Sequence, residues 1–213
     1  MYLGTPSTPA IRHAMTKRDD LGAMVTVSQG NRIPEGVPVG IDNECFLHPE
    51  RFGNGDAFLQ LIAQFDPDDV LFATAPDIVG DWAATLQRSR PWLDRIRTAG
   101  VPAAIVIQND ATRLTVPWDD VDAVFIGGTT DWKLGPRVVE ITAEANDRDI
   151  SVHMGRVNSH KRLAYAAWIG CDTADGTFLA FGPDQNLPKL LRWLDDVNTQ
   201  PSLFTPLPSR WWT

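Results

Sequence analysis

The sequence is poor in residues that staple, ligate or anchor. Its two cysteines, Cys45 and Cys171, are too few for a disulfide framework or a four-thiolate zinc site. The four histidines, His13, His48, His153 and His160, are scattered with no pair at a recognisable ligand spacing. No metal and no cofactor is therefore expected. No stretch approaches a transmembrane run, and the opening MYLGTPSTPA lacks the apolar core of a signal peptide, so a reduced, cytoplasmic setting without a membrane partner is the expectation. Positive charge is also scarce. Nineteen Lys and Arg stand against 27 Asp and Glu, a net charge of −8, which argues against broad nucleic-acid binding and leaves room only for a local basic patch. There is no internal repeat, linker or low-complexity boundary, and 213 residues suffice for one domain with a sizeable core. Tryptophan is plentiful, at eight, but it is mostly core or interface material and carries no functional argument singly.

What is present is a recurring alternation of short apolar runs with helical or polar segments. Strands are predicted at Tyr2–Leu3, Leu21–Val27, Val37–Ile41, Val70–Ala75, Ala103–Ile107, Ala123–Ile126 and Ile150–Met154, and in a last run from about Cys171 to Asp175. Helical segments are predicted up to Met15 and over Ala57–Phe65, Trp82–Thr98, Val138–Asn146, His160–Ile169 and Leu187–Val197. Pro91 should kink or divide the third of these. Asn158 or Ser159 can cap the helix from His160, and Gly170 can end it. Parallel strands joined by crossover helices point to a compact, single-domain (β/α)8 TIM barrel over residues 1–198. The Pro- and Trp-rich tail, residues 199–213, is expected to pack across the barrel exterior.

Barrel chemistry sits at the C-terminal ends of the strands. Those ends carry Asp42, Asp77, Gln108, Gly127-Gly128, Met154-Gly155 and Asp175. Carboxylates can act as nucleophile or as general acid and base, and can accept from a ligand's N–H groups. Gln offers donor and acceptor to the edge of a heterocycle. Paired glycines let a ligand reach backbone amides. Phe46 and Met154 could sandwich a flat ring. Taken singly, each residue has a plainer reading: an Asp after a strand is often a cap, Gly-Gly a turn, and Met154 core. One polar group per strand end is the informative pattern.

These segments resemble the tRNA-guanine transglycosylase superfamily, and more closely its DNA-modifying branch, the DeoxyPurine in DNA protein A family. The resemblance runs from Leu3-Gly4-Thr5 to Asp175. Asp42-Asn43-Glu44-Cys45-Phe46 occupies the place of an Asp-Ser-Gly-Gly-Phe motif. Ala75-Pro76-Asp77 corresponds to Phe-Asp-Glu, Ile107-Gln108-Asn109 to Val-Gln-Gly, and Gly127-Gly128 to a base-binding Gly-Gly. His153-Met154-Gly155 is similar to Leu-Met-Gly, and Gly170-Cys171-Asp172-Thr173-Ala174-Asp175 to Gly-Val-Asp-x-Phe-Asp, whose last Asp is the nucleophile. The sequence departs from the family in lacking its C-terminal zinc ligands. Glu44-Cys45 stands for two glycines, and Thr129 to Lys133 replaces the usual Gly-Glu.

The resemblance implies a DNA guanine transglycosylase. Guanine would be exchanged for a 7-deazaguanine, such as 7-cyano-7-deazaguanine, through a covalent Asp-glycosyl intermediate. It assigns Asp175 as nucleophile and Asp42 as general acid/base. Asp77, Gln108, Gly127 and Gly128 would read the base edge, with Phe46, Met154 and Gly155 around its faces. Lys133, Arg137, Arg156, His160, Lys161 and Arg162 form the basic set beside the site, with Lys133, Arg156, Lys161 and Arg162 as the nucleic-acid contacts and Arg156 and Lys161 the phosphate contacts of choice. A solvated helix face is the plainer reading of that set. The partners implied are DNA and the incoming base, with a homodimer allowed. Two other readings fit the residues: a barrel enzyme binding a phosphorylated metabolite at Gly127-Gly128 and Gly182-Pro183, and an inactive DNA-binding subunit.

Overall fold

The computed structural model describes residues 1–46 and 50–199. Eight strands close into a parallel barrel, each hydrogen-bonded to its sequence neighbours and the last to the first. They are β1 (Tyr2–Gly4), β2 (Leu21–Val25), β3 (Val39–Ile41), β4 (Val70–Thr74), β5 (Ala103–Ile107), β6 (Ala123–Ile126), β7 (Ser151–Met154) and β8 (Thr173–Asp175). Around them lie α1 (Pro9–Met15), α2 (Asp56–Ile62), α3 (Trp82–Thr98), α4 (Thr130–Lys133), α5 (Pro136–Asp147), α6 (His160–Ile169) and α7 (Pro183–Asn198). No α-helix links β2 to β3, and β5 reaches β6 through a single 3-10 turn. Among the described residues no helix is long and apolar enough to cross a membrane.

Strand alternation divides the apolar residues into two sets. Ile105, Ile107, Val124, Ile126, Val152, Met154 and Ala174 face outward into the layer between strands and helices. Leu3, Met24, Phe72, Ala104, Val106, Ala123 and Phe125 fill the barrel. Gly40 makes the second set fit, because a Cβ there would come within 2.7 Å of Leu3 and 2.8 Å of the Phe72 ring.

Local chemistry accounts for the helix ends. Ser159, rather than Asn158, caps α6 by accepting from the Arg162 amide, and Gly170 ends it at φ 93°. Of the two outcomes expected at Pro91, division does not occur: α3 runs unbroken over 17 residues. The Asp81 side chain caps its start, and Trp82, Thr85, Ser89, Leu93 and Ile96 are buried on both sides of the proline, so tertiary packing outweighs one lost backbone bond. Pro188 is likewise inside α7. The expected packing of the tail concerns residues 200–213, which lie outside the described residues; Thr199 forms the C-cap of α7.

Candidate active site

A cavity of about 350 Å³ opens at the C-terminal end of the barrel. Its placement follows from strand register. Leu3 pairs with Asp175, Met24 with Gly40, Gly40 with Phe72, Phe125 with His153, and His153 with Thr173. Paired residues share a face, so inward positions continue two residues on to Thr5, Thr26, Asp42, Gln108, Gly127, Gly155 and Asp175. All but Gly155 line the cavity, together with Asn43, Glu44, Phe46, Asp77 and Arg156, above Met24, Val106 and Phe125.

The three aspartates have different surroundings. Asp42 is half-buried, and its Oδ1 accepts from the Glu44 amide at 2.6 Å. Burial, reinforced by the negative charges of Asp175, Asp77 and Glu44, pushes its pKa up to about 7. Asp77 is 5% exposed and accepts from Gln108 Nε2 at 2.6 Å; burial raises its pKa against the donors around it. Asp175 takes two donors on Oδ1, His153 Nε2 at 3.1 Å and the Arg156 amide at 3.1 Å. Two residues beside the cavity hold left-handed backbones without being glycine, Glu44 at φ 58° and Arg156 at φ 60°. Such strain is typical of sites where surrounding bonds over-determine the chain. Glu44 stands where the resembled motif has glycine, and its carboxylate accepts from the Ser28 amide and hydroxyl.

The cavity gathers Asp42, Asp77, Gln108, Gly127, Gly128, Phe46, Arg156 and Asp175 from the sequence-derived set. Several expected roles need correction. Met154 does not face the site: it pairs with Ala174, is 2% exposed, and packs in the outer layer. It lies one residue from the inward His153, on the other face of β7. The flat group facing Phe46 is instead the Arg156 guanidinium, 4.5 Å from the ring centroid.

The glycine amides expected to read a ligand are already bonded. Gly127 N donates to Ile107 O, and Gly128 N to Gln108 Oε1, each at 3.0 Å. Gln108 Oε1 also accepts from Gly80 N at 3.0 Å, so this side chain chiefly braces the site. Gly127 leaves room for it, since a Cβ there would lie 2.9 Å from Gln108 Nε2. The same occupied amides remove the phosphate cradle expected of the metabolite reading, and Gly182 does not line the cavity. Gly155 stands beside the site, where a Cβ would meet the Phe125 ring at 2.5 Å.

Lys133 is not a surface phosphate contact. It is 4% exposed and its Nζ donates to Gly155 O. Burial lowers its pKa to about 8. Lys161 is exposed and Arg162 half-buried on the first turn of α6. Arg156 donates to Gly128 O through its guanidinium, which burial holds below the ordinary value.

Asp172 and Asp175 separate cleanly. Asp172 is at the N-terminal end of β8, where Oδ2 accepts from Val152 N at 2.8 Å and its carbonyl accepts from the Met1 ammonium. Two contributors were not assigned from sequence. Asn43, 4% exposed, ties the β3 loop to β4 through Ala75 O at 2.7 Å. His153 sits inside the barrel against Asp175. Alternation along β7 was the signal that could have found it. Among the described residues no group of three metal-ligating side chains could hold an ion.

No family model matches the chain, and no curated protein does. Among solved structures it is similar to tryptophan synthase from M. tuberculosis in an aminoacrylate- and BRD0059-bound form. The TM-score is 0.55 at 18% identity, covering 92% of this chain and 88% of that one. It is also similar to a native KDPGal structure, with a TM-score of 0.54 at 14% identity over 93% and 95% of the two chains. The fold is a TIM barrel. At these identities the likeness establishes that architecture alone, so chemistry has to be argued from the cavity.

Proposed function

We propose that this barrel exchanges a purine base on a nucleic-acid strand, DNA by resemblance, as a guanine transglycosylase acting through Asp175. The observation that carries the reading is the unequal carboxylate set in one cavity. Asp42 holds its proton to about pH 7, whereas Asp175 offers its Oδ1 to two N–H donors, His153 Nε2 and the Arg156 amide. A protonated carboxyl and a second carboxyl held by N–H donors in the same cavity suit an acid and a nucleophile. A cavity of about 350 Å³ is at the lower end for small-molecule sites, ~300–1,000 Å³. It suits one extruded nucleoside rather than a base pair, so a duplex target would be flipped.

The exchange runs in two displacements. An Asp175 oxygen forms a bond to C1′ as the glycosidic C1′–N9 bond breaks. The electron pair leaves with guanine, which takes the proton of Asp42. The incoming 7-deazaguanine then gives its N9 proton to Asp42, attacks C1′, and expels the Asp175 carboxylate. Configuration is retained. Asp77 is placed to accept from the base's N–H groups, Phe46 supports one face at the mouth, and Arg156, Lys161 and Arg162 are the candidate phosphate contacts.

The test is to incubate the protein with guanine-containing DNA, or RNA in a parallel arm, plus 7-cyano-7-deazaguanine. Covalent adduct is mapped by peptide mass spectrometry and the base read in digested nucleosides. An adduct on Asp175, absent in Asp175→Asn, is expected. An adduct on Asp172, or neither adduct nor exchange with either nucleic acid, overturns the reading.

A further inference from the structure

His153 opens the His153-Met154-Gly155 motif but has no role in it or in the exchange written above. It is 1% exposed, with ring centroids 4.9 Å from Phe72 and 4.4 Å from Phe125. A buried imidazole among apolar rings is costly unless both nitrogens are bonded. Here both are, Nδ1 to Thr173 Oγ1 at 2.8 Å and Nε2 to Asp175 Oδ1 at 3.1 Å. A carboxylate only accepts, so Nε2 carries a hydrogen and donates. Burial lowers the imidazole pKa and keeps the ring neutral, which makes Nδ1 the acceptor of the Thr173 hydroxyl. The Arg156 amide also binds Oδ1, while Oδ2 has no hydrogen-bond partner among the described residues.

We propose that Thr173 and His153 form a positioning relay behind Asp175: the hydroxyl fixes the Nε2–H tautomer, and that N–H holds Oδ1 so that Oδ2 meets the sugar. The inference rests on Asp175 as nucleophile. As Oδ2 bonds to C1′ and the base leaves with its electron pair, Oδ1 becomes the ester carbonyl. When the ester breaks, the C1′–Oδ2 pair returns to the carboxylate, whose charge is shared with the donors on Oδ1. These donors therefore stabilise the free carboxylate more than the ester, and His153 speeds release of the sugar to the incoming base. Neutral imidazole also leaves Asp175 more nucleophilic than a cation in the same place would.

Three variants and one spectrum test the relay. His153→Leu keeps an apolar filler between the two rings without a donor, His153→Gln restores an N–H near Nε2, and Thr173→Val removes only the tautomer-fixing hydroxyl. The readouts are kcat, KM for the base, and the fraction of enzyme held as glycosyl ester at steady state. His153→Leu should lower kcat about 10–100-fold, the worth of one hydrogen bond to a charged group. KM should not rise, and the ester should accumulate. His153→Gln should recover part of the rate, with Thr173→Val intermediate. Without substrate, 15N NMR of the imidazole should show Nε2 protonated and Nδ1 bare through the neutral range. A wild-type rate and ester fraction in His153→Leu, or an Nδ1-protonated ring, overturns the relay. Should His153→Leu not fold, a wild-type ester fraction and an unchanged tautomer in Thr173→Val does the same. Wild-type protein that forms no adduct instead sinks the Asp175 reading, and the spectrum still judges the tautomer separately.

Discussion

Replacing Asp42 by Asn should trade activity for stability, and the trade should depend on pH. The folded protein holds the Asp42 carboxyl at a pKa of about 7 against an ordinary 3.8. Below about pH 4 both folded and unfolded chains carry the proton, and Asp42 costs nothing. Between about pH 4 and 7 only the folded chain keeps it, so unfolding releases a proton and stability falls as pH rises. Above about pH 7 the burden is complete: about three pH units at about 1.4 kcal/mol each gives at most ~4 kcal/mol. Asn is uncharged, nearly isosteric, and can still accept from the Glu44 amide through Oδ1. Asp42→Asn should therefore be more stable than wild type by up to ~4 kcal/mol near pH 8, the gain shrinking to nothing near pH 4. Urea unfolding followed by tryptophan fluorescence at a series of pH values measures this. A gain that does not change with pH, or a variant less stable near pH 8, would refute the reasoning. The same substitution removes the proposed proton donor, so under that proposal base exchange should fall roughly 10²–10⁴-fold. In the wild type, turnover should decline above about pH 7 as the acid is lost.

Asp172→Asn should still form adduct, mapped by peptide mass spectrometry, because Asp172 lies at the far end of β8 with its carboxylate on Val152 N. Gly155→Ala puts a Cβ 2.5 Å from the Phe125 ring and 3.4 Å from Asp175 Oδ1. It should cost roughly 1–3 kcal/mol and slow exchange, and a wild-type melting curve and rate would count against the packing described. Arg156→Ala should weaken nucleic-acid binding across sequences with only a shallow change in salt slope, measured by fluorescence anisotropy. Lys133→Ala should leave affinity near wild type while lowering stability, since its ammonium is buried on Gly155 O. Equal loss of affinity in both variants would return Lys133 to the binding surface.

The sequence by itself determined the architecture and the level of the site. Apolar runs of the length of β5 and β6 are readable because strands buried on both faces must be continuously hydrophobic. Ser159 and Gly170 bound α6 through local hydrogen bonding and a left-handed backbone that glycine adopts freely. Asp42, Asp77, Gln108 and Asp175 stand out because polar groups ending apolar strands need a reason. Tertiary structure decided which way each residue faces and what it is already bonded to. Met154 looked like a wall of the site and is core, while His153, one residue earlier, supports the candidate nucleophile. A strand turns every other side chain inward, and which set turns in is fixed only when β7 pairs with β6 and β8. The amides of Gly127 and Gly128 looked free in sequence, and Lys133 looked solvated. Their actual partners, Ile107 O, Gln108 Oε1 and Gly155 O, come from residues about 20 positions away along the chain. Barrel closure creates those contacts, and local sequence does not encode them.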